Sequence, residues 1–179
     1  MYQVVLVLKI KQDISIIPNF YSCLFSNETM DSDEITFTKL EKHVTRDIDD
    51  KHENGSLTVV WRDWDKILPI IPKMVYVSSI NSGEIKGPHI HKKRNSYFTC
   101  IHGKVIFIIK KNDGTYTEIE SSSETPNLIQ VPKNSASAHV NISNDVSRVL
   151  AIADLAWRPD DNEMENISFD DYDWKKWKI

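Results

Sequence analysis

Two histidines, His89 and His91, stand two positions apart near the middle of the chain. A turn signal at Gly83 precedes them, and the apolar segment 97–101 follows them. Side chains at positions i and i+2 of an extended strand lie on the same face, so this spacing predicts two imidazoles side by side. Imidazole changes its protonation state near neutral pH, which suits it to moving protons or to binding a metal ion. We therefore expect a catalytic or binding site on this strand.

The composition is typical of an ordinary globular domain. The chain has 179 residues, of which 40% are hydrophobic and 27% charged, with a formal net charge of −4. These values exclude a collagen-like or disordered chain, and the negative charge gives no general attraction to nucleic acid. No apolar run approaches the roughly 18 residues of a membrane helix, and two cysteines, Cys23 and Cys100, make no disulfide framework. We predict a cytoplasmic protein without a membrane or nucleic-acid partner.

Short strands separated by turn signals dominate the sequence after residue 54. Asn54-Gly55 is expected to be a turn before a strand at 57–61, and Asn112 to Gly114 a hairpin turn. Strands of this kind, recurring with almost no helical period, are typical of antiparallel sandwiches and small barrels. We predict an all-β jelly-roll sandwich or barrel with short flanking segments. The other predicted strands are 75–80, the strand of His89, 97–101, 105–110, 116–120, 128–131 and one around 149–153.

We expect a single domain over residues 1–179. It would consist of an N-terminal segment 1–53, for which the pattern indicates no particular structure, a jelly-roll core 54–156 and a C-terminal tail 157–179. The tail is rich in acidic residues and tryptophan. We expect it to be a short amphipathic segment that covers one end of the sandwich.

The positions around the histidine pair resemble the first sequence motif of the cupin family. Ser96 stands where a glutamate is usual, and the matching positions are Gly83, His89, His91, Ser96 and Gly103. A later stretch resembles the second cupin motif, with Ser137 in place of a ligand histidine; its matching positions are Pro132, Asn134, Ser137 and Asn141. The resemblance implies a cupin jelly roll that lacks two of its metal ligands. We therefore expect neither a metal nor another cofactor.

Two alternatives stay open at this point. Period two places Ser137, His139 and Asn141 on one strand face, so His139 could supply a third imidazole beside His89 and His91. That would make a metal-dependent cupin enzyme. The other alternative is a non-catalytic sugar-binding cupin, in which the two histidines only bind a sugar or form hydrogen bonds inside the barrel.

Among metal-free cupins, the segment Lys86–Lys93 is similar to enzymes that act on dTDP-linked 4-keto-6-deoxyhexoses. Two groups share it, the 3,5-epimerases of the rhamnose pathway and the 3,4-ketoisomerases that lead to amino sugars. The resemblance extends over roughly 54–176, and the tail resembles the epimerases at Trp157–Asp161 and Phe169–Asp171. It implies a nucleotide-sugar substrate, proton abstraction beside a keto group, no cofactor and a homodimer.

The resemblance also implies roles for individual residues. His89 would be the base and His91 a second proton carrier or substrate ligand. Tyr76 on the preceding strand would be the acid, although the pattern favours a strand residue that packs on the core with its hydroxyl at the rim. The expected substrate-binding residues are three cations near the diphosphate, Lys86, Lys92 and Arg94, an aromatic for the base, Trp61, and the motif residues Ser96, Ser137, His139 and Asn141. Ser96 and Ser137 stand where the epimerases have a lysine and a histidine, so several helpers of the epimerase reaction are missing.

Overall fold

Alternating side chains build two antiparallel five-stranded sheets in the computed structural model, which describes residues 34–64, 68 and 70–177. The first sheet has the order β1 (Thr36–Lys39), β9 (Asn127–Val131), β6 (Ser96–His102), β11 (Ser147–Ala153), β4 (Met74–Ile80). The second has the order β12 (Met164–Asn166), β5 (Ile85–His91), β10 (Ala136–Asn141), β7 (Lys104–Lys110), β8 (Tyr116–Ser122). The predicted all-β jelly-roll sandwich is confirmed.

The main core lies between the inner faces of the two sheets. In β7, the side chains of Val105, Phe107 and Ile109 point inward and are fully buried, as period two requires. Side chains of the first sheet complete this cluster: Ile80, Phe98, Cys100, Ile129, Val131, Val149 and Ala151. The Cys100 thiol is free, and burial raises its pKa to about 11, so it is an inert core residue.

The C-terminal tail covers the outer face of the second sheet rather than an end of the sandwich. Ile106 and Ile108 alternate with the core positions of β7 and point outward, where Phe169 and Tyr172 bury them. The Tyr172 hydroxyl donates a hydrogen bond to Glu118 Oε1 at 2.7 Å. The sheet therefore carries apolar side chains on both faces, which explains why β7 reads as a continuous apolar run.

A separate hairpin joins β2 (Lys42–Arg46) to β3 (Glu53–Thr58) and corrects one turn prediction. The chain reverses at 48–50, and Asn54-Gly55 lies inside β3. Thr45 pairs with Gly55 while Arg46 pairs with Glu53, so Asn54 is the extra residue of a β-bulge. Bulges and turns favour the same residue types, which is why Asn54-Gly55 predicts a turn although it lies in a bulge. The hairpin turn predicted at 112–114 is confirmed between β7 and β8.

Two predictions concern segments at the chain termini. Residues 1–33 of the expected N-terminal segment, with Cys23, lie outside the described residues. The described part of that segment contributes β1, which pairs with β9, and the hairpin strand β2. At the other end, Trp174–Trp177 form a short 3-10 helix. No helix among the described residues is long and apolar enough to span a membrane.

Candidate active site

The backbone just before the histidine pair lies very close to β10. Gly87 has a φ of +90°, and a Cβ built on it would lie 2.7 Å from the carbonyl oxygen of Ser137 and 3.2 Å from the Cα of Ala138. Both neighbours are backbone atoms and cannot move aside as a flexible side chain could. Glycine at this position therefore allows β5 to pair with β10 where Ser137 lies opposite His89.

Replacing Gly87 by alanine is expected to lower the free energy of unfolding by about 2–5 kcal/mol. About 1–2 kcal/mol arises from the left-handed backbone, and the rest from overpacking against β10. Gly114→Ala is the matched control, because Gly114 also has a positive φ, +84°, but has no atom within 4 Å of a built Cβ. Urea unfolding of both variants measures the difference. Equal losses would show that β10 yields to the extra methyl group.

A cavity of about 240 Å³ opens beside the histidine pair, and strands of both sheets line it. It brings together the predicted catalytic residues Tyr76, His89 and His91. Four predicted substrate-binding residues also line it: Lys86, Arg94, Ser137 and His139. Phe98 and Met164 add apolar surface. A larger hollow of about 470 Å³ near β1 and β8 has no histidine among its described lining residues, so it lacks the chemistry of the first.

His89 presents one free ring nitrogen. Its Nδ1 lies 2.8 Å from Oδ1 of Asn166, which belongs to β12 and pairs with His89 across the strands. An amide oxygen only accepts hydrogen bonds, so Nδ1 carries the proton and donates. In the neutral ring Nε2 then holds the lone pair, and it makes no hydrogen bond to another described residue. His89 therefore borders the cavity with one ring nitrogen that can accept a proton or a hydrogen bond.

Both ring nitrogens of His91 are engaged. Nδ1 lies 2.9 Å and 3.2 Å from the two carboxylate oxygens of Glu163, and Arg94 Nη2 lies 2.8 Å from Nε2. Because a guanidinium only donates, Nε2 must accept and Nδ1 must carry the proton. Burial, followed by the charge of Arg94, lowers the pKa of His91, while Glu163 opposes the shift. His91 is therefore a neutral imidazole whose lone pair is occupied.

Arg94 and Glu163 form a buried ion pair behind His91. Their exposed fractions are 6% and 3%, and Arg94 Nε lies 3.3 Å from Glu163 Oε1 without the angle of a hydrogen bond. Two buried charges are tolerated because each compensates the other and His91 bridges them.

Tyr76 reaches the cavity from β4, on the sheet that faces the histidine strand. Burial raises the pKa of its hydroxyl, with Arg94 opposing and Glu163 adding to the shift. The hydroxyl therefore stays protonated near neutral pH and can donate a hydrogen bond or a proton. Lys86, also on the cavity wall, donates from Nζ to Ser78 Oγ at 2.9 Å.

His139 forms an apolar wall of the cavity. Its ring packs against Phe98 and Phe107, with centroid distances of 4.7 Å and 4.6 Å. The ring is half-buried at the cavity wall, and its burial lowers its pKa to about 3. His139 is thus a neutral ring and makes no hydrogen bond to any other described side chain.

Four predicted substrate-binding residues lie outside the cavity lining. Lys92 is exposed and pairs with Glu165 at 2.9 Å, and Trp61 is about 38% exposed in the segment after β3. Ser96 shares the inner face of its strand with Phe98 but is buried, and its Oγ has no partner. Asn141 is also buried. The cavity as described therefore offers a ligand none of these four side chains.

The side chain of Asn141 holds the turn between β10 and β11. Its Nδ2 donates to the carbonyl oxygens of Ile80 at 2.9 Å and Asp145 at 2.7 Å. Its Oδ1 accepts from Ser143 N at 2.8 Å and Ser147 Oγ at 2.7 Å. An amide has two N–H donors and two lone pairs. All four are used, so none is available for a substrate.

The three cavity histidines do not fit a cupin metal site. In the described part of the chain, the nitrogens of His89, His91 and His139 do not all come within 4.8 Å of one another. Nε2 of His91 also faces the Arg94 guanidinium, a cation that would repel a metal ion. The described residues that do converge in this way, Asp47, Asp50 and His52, lie in the β2–β3 hairpin, away from the cavity.

Sequence reasoning missed the two partners of the histidine pair, Asn166 and Glu163. Asn166 belongs to β12, a strand of three residues, and Glu163 directly precedes it. The pairing of Met164 with His91 and of Asn166 with His89 places the polar tail residues beside the imidazoles. The spacing gave no usable signal, because Glu163 and Asn166 stand three positions apart whereas the two histidines stand two apart.

Solved structures with this fold include several enzymes of sugar nucleotides. A dTDP sugar isomerase from Desulfovibrio desulfuricans G20 has a TM-score of 0.68 and 13% identity, covering 79% of this chain and 90% of that one. The 3,5-epimerase RmlC from Legionella pneumophila, in complex with dTDP-4-keto-L-rhamnose, has a TM-score of 0.63 and 13% identity, and the match covers 81% of this chain and 77% of that one. QdtA, a sugar 3,4-ketoisomerase from Thermoanaerobacterium thermosaccharolyticum in complex with TDP, has a TM-score of 0.57 and 20% identity, and the match covers 73% of this chain and 86% of that one.

At the level of sequence, a search of the curated proteins found no match to the chain. A family model does match it. The family is FdtA, described as WxcM-like, C-terminal, and the match extends over residues 33–173. The matched range contains every described strand, both histidines of the pair, and Glu163 and Asn166, the tail residues that contact those histidines. The chain therefore belongs to the FdtA family of WxcM-like, C-terminal domains.

Proposed function

We propose that the protein is an isomerase of a dTDP-linked 4-keto-6-deoxyhexose, and that it moves a proton at the carbon beside the keto group without a metal. The observation that carries this proposal is the free Nε2 of His89 at the cavity, with Tyr76 on the facing sheet. The similar structures of a dTDP sugar isomerase, a 3,4-ketoisomerase and a 3,5-epimerase support the substrate class.

A base and an acid in this arrangement are enough for ketoisomerisation. The carbonyl at C4 acidifies the C3 proton, which Nε2 of His89 can remove, and Asn166 keeps the opposite nitrogen protonated. The charge that develops on O4 is stabilised by a hydrogen bond from the Tyr76 hydroxyl. Protonation of C4 by His89, with transfer of a proton to O4 and loss of one from O3, completes a 4-keto to 3-keto conversion.

Epimerisation needs one more element, a proton donor on the opposite face of the sugar ring. The residues by which the 3,5-epimerases are distinguished in this region are replaced by Ser96 and Ser137. We therefore favour the 3,4-ketoisomerase reaction. The expected homodimer stays a prediction, to be measured by analytical ultracentrifugation.

The test is proton NMR of dTDP-4-keto-6-deoxyglucose in deuterated water with the chelator-treated protein. We expect the C3 proton to exchange for deuterium and a 3-keto product to accumulate. Protein-free and heat-denatured samples correct for spontaneous exchange. Binding without exchange above these controls would favour a non-catalytic sugar-binding protein, and exchange that requires added metal would contradict the metal-free mechanism. Inversion at C3 or C5 with the 4-keto group retained would identify an epimerase.

A further inference from the structure

His91, one of the two histidines on β5, has both ring nitrogens engaged in hydrogen bonds with protein groups. We propose that Arg94 is a positioning residue that holds His91 in one neutral tautomer, so that His89 alone acts as the imidazole base. This role differs from the diphosphate contact that the sequence predicted for Arg94. The tautomer part of the inference is independent of the reaction, whereas its consequence for the product rests on the proposed function.

The hydrogen bonds define the tautomer. All nitrogens of the Arg94 guanidinium are donors, so Nε2 of His91, 2.8 Å from Nη2, has to offer its lone pair. Glu163 accepts at 2.9 Å from the opposite nitrogen of the ring. Protonating Nε2 would bring two donors face to face and place a second cation against the guanidinium. Arg94 therefore opposes protonation of Nε2, which is the step that a general base must perform at that nitrogen.

The charges around His91 act in the same direction. Arg94 and Glu163 contact the ring, His89 is the next histidine on the same strand face, and Tyr76 interacts electrostatically with both Arg94 and Glu163. Burial and Arg94 hold the pKa of His91 below its ordinary value, and His89 adds a smaller effect. Only Glu163 favours the protonated ring. Burial and Arg94 therefore favour the neutral ring together, and Arg94 also determines which nitrogen carries the proton.

Loss of Arg94 would convert His91 into a second base. Its Nε2 would then be free beside the cavity that the residue already lines, and the carboxylate at Nδ1 would strengthen it as a base. Two bases on one strand face could remove protons from two positions of a bound sugar. Arg94 thus restricts the reaction to one carbon.

Three variants test the inference by nitrogen-15 NMR of the histidine rings between pH 5.5 and 8.5, with His91→Gln used for assignment. Arg94→Met removes the donors, Arg94→Met with Glu163→Gln also removes the carboxylate that would be left unpaired, and Arg94→Lys keeps a cationic donor. We expect His91 of the wild type and of Arg94→Lys to stay neutral over this range, with the proton on Nδ1 and none on Nε2. In Arg94→Met its titration midpoint should rise by about 1–3 pH units. Near-UV circular dichroism checks the fold.

The double variant keeps the inference falsifiable if Arg94→Met does not fold. Its His91 should show a mixture of the Nδ1-protonated and Nε2-protonated forms in the nitrogen-15 shifts, because neither a guanidinium nor a carboxylate then fixes the ring. If His91 behaves as in the wild type in whichever of these two variants folds, or if wild-type His91 titrates near its ordinary pKa, the inference is wrong.

Deuterium exchange then separates the inference from the proposed function. The wild type should incorporate deuterium at one carbon of the 4-keto sugar, and the double variant at a second carbon as well. No exchange by the wild type would reject the proposed function while the NMR result still decides the role of Arg94. A double variant that frees His91 and still exchanges only one carbon would overturn the claim that Arg94 restricts the reaction.

Discussion

Replacing His89 by asparagine should lower kcat for the proposed 4-keto sugar substrate by about 10²- to 10⁴-fold, the usual contribution of a positioned general base. The amide keeps polar volume at the cavity wall but cannot accept the C3 proton. His91 does not replace the lost base, because its Nε2 accepts a hydrogen bond from Arg94. KM should change by only a few fold, since the variant removes an interaction with the transition state rather than with the bound sugar. Product formation followed by NMR gives both constants.

A matched control for this variant is His102→Asn. His102 is exposed at the end of β6 and does not line the cavity, so its replacement should leave kcat unchanged. Calorimetric titration with dTDP shows whether the His89 variant still binds nucleotide. A loss of less than tenfold in kcat, with binding intact, would mean that another group removes the proton.

The strands were predictable because their side chains alternate and glycine or asparagine marks the turns. β7 shows both the success and the limit of this reasoning. Its apolar run from Val105 to Ile109 predicts a strand, and the structure buries both faces of that strand. What covers its outer face was not predicted, because Phe169 and Tyr172 come from a tail that we expected to cover an end of the sandwich, and composition does not show which surface a tail packs on.

The site was predictable where it depends on spacing along one strand. The placement of His89 and His91 on one face follows from period two, and the resemblance placed Tyr76 and Lys86 on the same cavity. The ring partners were not predictable. Asn166 and Glu163 lie more than seventy residues away in sequence, and only the pairing of β12 with β5 brings them to the imidazoles.

The basic cluster after the histidine pair shows why composition alone does not assign roles. Lys92 and Lys93 form exposed ion pairs with Glu165 and Asp161, at 2.9 Å and 3.0 Å. Their neighbour Arg94 is buried behind His91. Exposed pairs of this kind contribute at most about 1 kcal/mol, whereas a buried charge that loses its partner costs about 3–5 kcal/mol. Three adjacent cations thus differ because only one of them turns inward where β5 ends.

The free energy of unfolding should fall as the pH is lowered below about 6.5, and part of that fall should disappear in His139→Gln. The folded protein holds the pKa of His139 at about 3, whereas the ring in the unfolded chain has the ordinary value of 6.5. Between these values the unfolded state binds a proton that the folded state does not, so acid favours unfolding. Each pH unit within this window costs up to about 1.4 kcal/mol for one such group.

Glutamine at position 139 does not titrate, so the variant lacks this contribution. His91, whose pKa is also lowered, affects both proteins alike and cancels in the comparison. Between pH 8 and pH 5 the wild type should therefore lose about 2 kcal/mol more than the variant. Urea unfolding at four pH values gives the free energy of unfolding against pH for each protein. Subtracting the difference between the two curves at pH 8 removes any effect of the substitution on packing against Phe98 and Phe107. Parallel curves would mean that the pKa of His139 in the folded protein is close to its ordinary value. The ring could then carry a positive charge in the cavity, where it would contact a bound ligand as a cation rather than as a neutral wall residue.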